Sequence, residues 1–207
     1  MTETVYFSVA ETAKLIRAEL KKHFKEKHPN TKFSVRSESY AGGASVRIHW
    51  MDGPTVKEVD AVVQVYSSKG FDGSIDMGYY KTAYMLPDGT VTYGESEGTA
   101  GSMGYVEGYK NPLPEGAKKV HFGSSYVTTS RDNSAAAVKK ALEAVVEKYG
   151  NQVGLPEDLS QAVEVSKFSD SAWVAAPYRD KDVTGEPGWN MYWSVGAKVS
   201  AAMNGEL

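Results

Sequence analysis

The chain has 207 residues, of which 41% are hydrophobic and 24% charged, and its formal net charge is -3. That composition is ordinary for a globular protein and large enough for a core without staples. The absence of cysteine excludes disulfides and thiolate metal sites. No apolar run approaches a membrane span, and the N-terminal MTETVYFSVAETAK lacks a basic-then-apolar leader pattern, so a cytoplasmic protein without membrane contact is expected.

The first helix is announced by Ser8 and Glu11, which have capping-box spacing. Val9, Ala13, Ile16, Leu20 and Phe24 then recur on one face, and Pro29-Asn30 closes the element. Two alternating runs follow, KFSVRSE and ASVRIHW, joined by Gly42-Gly43, and these read as a hairpin. Period two turns Phe33, Val35, Val46, Ile48 and Trp50 toward the helix and leaves Arg36, Arg47 and His49 on the opposite face, with Tyr40 near the tip. Asp52-Gly53-Pro54-Thr55 opens a second helix whose stripe is Val56, Val59, Val63 and Tyr66.

KGFDGSIDMGYY reads as a glycine-punctuated loop. A second hairpin is expected from Tyr79 to Met85, through Pro87-Asp88-Gly89-Thr90, to Val91–Tyr93. Glycine recurs every three or four residues from Gly94 to Gly116, marking a long loop with Tyr105 and Tyr109 as mobile anchors. Strand pattern returns over Lys119–Thr129, with Val120 and Phe122 on one face. A third helix follows, with the stripe Val138, Leu142, Val145 and Tyr149 and the stop Gly150. Pro156–Phe168 reads as a short helix. Ser171–Val199 carries Trp173, Tyr178, Trp189, Tyr192 and Trp193 in irregular chain with one or two strands, and the last residues should fray.

These patterns predict an α+β fold: an antiparallel sheet with helices packed on one face and an irregular, aromatic-rich C-terminal segment. Residues 1–150 form the main domain and 151–207 an extension packed on it. Residues 1–69 carry 11 Lys and Arg against 8 Asp and Glu, while residues 70–207 carry 12 against 18, so the N-terminal part is mildly basic.

Catalytic signatures are lacking. His23, His28, His49 and His121 do not have metal-ligand spacing, and Asp72 and Asp76 lie outside any calcium-loop pattern. Gly98, Gly101 and Gly104 match no phosphate loop. Ser37, Ser39, Ser124 and Ser125 sit in no nucleophile elbow. Glu38, Asp52 and Asp60 read as solvated charges. A metal-dependent enzyme would need two carboxylates, such as Asp52 and Asp72, to converge in a cleft. No cofactor is indicated. Arg36, Tyr40, Arg47, His49, Tyr79 and Tyr80 remain as a partner surface, for phosphates and bases or for a protein.

Several motifs occur in a fixed order. They are Phe33-Ser34-Val35-Arg36-Ser37, Ser39-Tyr40, Gly42-Gly43 and Ser45, then Trp50 and Asp52-Gly53-Pro54-Thr55, then Phe71-Asp72-Gly73 and Tyr79-Tyr80. In this order the chain resembles the large polyvalent protein-associated domains of phages and conjugative elements, over roughly residues 8–150. Such domains sit in very large multidomain proteins thought to travel with incoming DNA and protect it from host defences. The resemblance therefore implies a mobile-element accessory whose partner is a host defence protein or complex, or nucleic acid. It carries no catalytic residue over to this chain, which is expected to stand apart from the family's usual neighbouring enzymatic modules.

Overall fold

A computed structural model describes residues 4–73, 75–93, 113–150, 154–183 and 193–207. The chain is α+β, and its described strands fall into four sheets. It divides into two compact units, one of residues 1–50 and 56–130, the other of residues 51–55 and 131–207.

In the first unit, β1 (Val5–Phe7) leads into α1 (Val9–Phe24). The capping box forms as the spacing requires: Ser8 N and Oγ donate to Glu11 Oε2 at 2.8 and 2.7 Å, and Glu11 N donates to Ser8 Oγ at 3.3 Å. Those bonds from Ser8 hold the Glu11 carboxyl below its ordinary value. A depressed carboxylate stabilises above its unfolded value, so this contribution fades as pH falls through the lowered one. Ser8→Ala should cost about 1 kcal/mol, read as a lower urea midpoint. An unchanged midpoint would mean that the cap carries no weight.

The expected stripe is buried at Ala13, Ile16, Leu20 and Phe24, and it packs with β2 (Ser34–Tyr40) and β3 (Gly43–Met51). Their register pairs Val35 with Ile48 and Tyr40 with Gly43, so only Ala41 and Gly42 turn the chain. Gly42 alone takes a positive φ, 87°, and Gly43 belongs to the strand, where the sequence reading had asked both glycines to turn.

Asp52 and Gly53 form a positive-φ turn, which delays α2 to Val56–Val63, followed by a 3-10 turn at Gln64–Tyr66. Val59, Val63 and Tyr66 are buried, but Val56 at the helix start is exposed. The supposed loop after it is a hairpin, β4 (Lys69–Asp72) with β5 (Met77–Tyr80). The expected Tyr79–Met85 strand therefore splits, and only its second part, β6 (Ala83–Met85), forms the expected hairpin with β7 (Val91–Tyr93). The later strand run divides likewise, into β8 (Lys118–Phe122) and β9 (Tyr126–Asp132). Sheet orders are β1-β8-β6-β7, with β1 parallel to β8, and β2-β3-β9.

The second unit has its own core around Val138, Leu142, Val145, Val195 and Val199. It contains α3 (Ala135–Tyr149), the hairpin β10 (Val163–Val165) and β11 (Ala172–Val174), α4 (Ala176–Arg179) and α5 (Val195–Met203). Pro156–Phe168 contains a short 3-10 turn and then β10, not an α-helix. Irregular chain was expected near the end, yet α5 is a regular helix, capped by Ser194 Oγ accepting from Ala197 N at 3.2 Å. No described helix is long and apolar enough to cross a membrane.

Candidate partner-binding surface

The outer face of β2 and β3 is built by register. Arg36 lies opposite Arg47, Ser34 opposite His49, Glu38 opposite Ser45 and Tyr40 opposite Gly43. Arg36, Arg47, His49 and Tyr40 are all exposed, so nothing described in the chain seals this face. Two guanidiniums placed opposite each other repel, and the diagonal Glu38 answers with a contact of 2.6 Å from Arg47 Nη2 to Glu38 Oε2. Because both side chains are well exposed, water screens that pair and it adds little stability. It does leave the face with charges of both signs.

Tyr40 is held in place from below. An added Cβ on Gly43 would come within 3.1 Å of the Tyr40 ring and 3.1 Å of Ser125 Oγ, so the ring lies across the glycine. Ser125 is a junction between sheets. Its N–H donates to Ala44 O at 2.7 Å, and its own carbonyl accepts from Lys69 N at 3.1 Å. Lys69 pairs in register with Tyr80, and its ammonium stands 5.4 Å above that ring. Tyr126 follows Ser125 directly. Backbone bonds thus tie together the segments that carry Tyr40, Tyr80 and Tyr126, and each tyrosine is open to solvent: Tyr40 at 49%, Tyr80 at 68% and Tyr126 at 41%.

Beneath the surface the serines are structural. Ser124 Oγ donates to Tyr66 O at 2.6 Å, Ser68 Oγ donates to Ser124 O at 2.9 Å, and Ser67 Oγ accepts from Val127 N at 2.9 Å. Buried hydroxyls satisfied in this way lock the local geometry. Asp60 is likewise occupied, its Oδ1 accepting from Thr129 Oγ1 at 2.8 Å and Gln64 Nε2 at 3.0 Å. Tyr93 donates its hydroxyl to Gln64 O, and burial pushes its phenol well above the usual range. Burial also lowers neighbouring Lys81, whose ammonium lies 5.0 Å above the Tyr93 ring.

Not every expected residue joins the surface. Tyr79 turns the other way from Tyr80 and covers Gly70, where an added Cβ would meet its ring at 2.3 Å. Tyr105, Tyr109, Trp189 and Tyr192 lie outside the described residues. Asp52 Oδ1 accepts from Ser134 N at 2.8 Å in the second unit, while Asp72 belongs to the first. Among the described residues, no three His, Asp or Glu side chains gather as a metal site. Tyr126 and Lys69 escaped the sequence reading, and only the alternation of exposed Tyr126 with buried Val127 hinted at the first.

The motifs that carry this surface fall within residues 7–134, the span matched by the family model of large polyvalent protein associated domain 29. The chain belongs to that family. The matched span of this polyvalent-protein domain takes in α1, the β2–β3, β4–β5 and β6–β7 hairpins and the Ser125 junction, and it ends at the Ser134 cap of α3. Membership associates the protein with phages and mobile elements. No curated protein and no solved structure matches the chain.

Proposed function

We propose that this protein is a non-enzymatic accessory of a phage or mobile element that engages a host defence protein or complex through the surface around Tyr40, Tyr80 and Tyr126. Three exposed tyrosines on segments tied together by backbone bonds at Ser125 carry this reading. Tyrosine and arginine dominate the energy of protein interfaces, because they bury large area at small entropic cost. The Arg47–Glu38 pair gives mixed charge, which suits a protein face better than a uniformly negative backbone.

Co-purification from nuclease-treated host lysate tests the proposal. The wild-type chain should retain a specific protein, and Tyr40→Ala with Tyr126→Ala should release it, each costing about 2 kcal/mol or roughly thirtyfold in affinity. A partner held equally by the double variant, or recovered only without nuclease, would defeat the reading.

A second reading, nucleic-acid handling, is favoured by Arg36 standing opposite Arg47 and by Lys69 over Tyr80. It requires binding that weakens with salt through counterion release. Arg36→Ala with Arg47→Ala should then reduce a gel shift at low salt, and an unchanged titration removes this alternative.

A further inference from the structure

A separate, half-open cavity of about 450 Å³ lies in the first unit, between the C-terminal half of α1 and the chain leading into β2. Its floor is apolar, formed by Leu20, Phe24 and Phe33, with the two phenyl rings 5.7 Å apart. Arg17, Lys21, Lys25 and His28 stand around it, and none of its lining residues is acidic. Arg17 is braced there, its Nη2 donating to Val35 O at 2.6 Å, which uses one of several guanidinium donors. No carboxylate among the described residues pairs with Lys21 or Lys25; the ion pairs of α1 lie elsewhere, from Glu19 to Lys22 and His23.

A helix C-terminus by itself disfavours an anion. Here the carbonyls of Lys21 and Phe24 are already taken by the amides of Lys25 and His28, at 3.2 and 2.8 Å. The side-chain cations oppose what remains of that field.

We infer that this cavity binds a small amphiphilic anion, an acidic head group on an aromatic or aliphatic body. Its volume falls among ligand pockets of roughly 300–1,000 Å³, and it combines an apolar floor with a few convergent polar groups. The body rests against Leu20, Phe24 and Phe33, and the head group meets Arg17, Lys21 and Lys25.

Anilinonaphthalene sulfonate is a suitable fluorescent probe, with uncharged phenyl-naphthylamine as the same body lacking the acid. Sulfonate binding should saturate at one site and be displaced by decanoate. Lys21→Glu with Lys25→Glu, both at exposed positions, should weaken the sulfonate by about tenfold or more while leaving the neutral probe within twofold. Circular dichroism and the urea midpoint of the double variant, unchanged, confirm that folding is not what was lost. The inference is overturned if the variant binds the sulfonate like the wild type, if both probes respond alike, or if binding does not saturate. Displacement by an acidic phenylalanine-containing peptide but not by decanoate would also overturn it, marking the cavity as a protein-docking groove.

Discussion

Replacing Trp50 by alanine should cost about 3–5 kcal/mol, the largest effect of any single change considered. Trp50 is 1% exposed, and its ring lies 5.5 Å from Phe33, which in turn meets Phe24 of α1. The indole therefore links the inner side of the β2–β3 hairpin to the helix that covers it. Truncation removes its transfer energy and leaves a cavity that rigid β-strands close poorly. Urea unfolding followed by circular dichroism measures the loss. Trp50→Phe, which fills most of the volume, should lose clearly less. A cost below about 1 kcal/mol for Trp50→Ala would contradict the packing described.

Gly123→Ala is expected to rank second, at about 1–3 kcal/mol, through crowding rather than a void. The added Cβ would lie 2.6 Å from Val9 N, 2.8 Å from Phe7 O and 2.8 Å from Ser8 C. All three are backbone atoms at the join of β1 and α1, and none can swing aside as a side-chain tip would. Gly78→Ala is the matched control, because its new Cβ would meet only Gly70 O at 3.7 Å, an ordinary contact. Equal unfolding midpoints for the two variants would show that the approach at Gly123 is looser than described.

Elements with local signals were legible in the chain. α1 declared itself through Ser8, Glu11 and its stripe, and α3 through Ser134, Val138, Leu142 and Gly150. The β2–β3 face assignment followed from period two alone. The β4–β5 hairpin did not show, because Gly70, Gly73 and Gly78 break the alternation on which strand reading depends. In the fold the Tyr79 ring fills the space a side chain at position 70 would take, a compensation between distant positions that no local pattern displays. α5 was missed because VGAKVSAAM has small residues around only Val195 and Val199 as a buried stripe, with a glycine inside it.

The surface was half legible for a similar reason. Tyr40 and Tyr80 stood out by type and Arg36, Arg47 and His49 by alternation. What ties the segments of Tyr126 and Lys69 to β3 is a set of backbone bonds through Ser125, made between residues 44, 69 and 125. Side-chain periodicity carries no trace of such bonds. Tyr79, next to Tyr80 and equally conspicuous by type, faces inward because strand neighbours point apart.

The pairing of β1 with β8 bears on how the molecule is made. Val5 aligns with Val120 and Phe7 with Phe122, and β1 borders no other described strand of its sheet. During synthesis Val5–Phe7 must therefore wait for Val120–Phe122, more than a hundred residues further along, to leave the ribosome. Throughout that interval the β1 edge stays unzipped, so conditions that slow translation should lengthen the period in which newborn chains can aggregate.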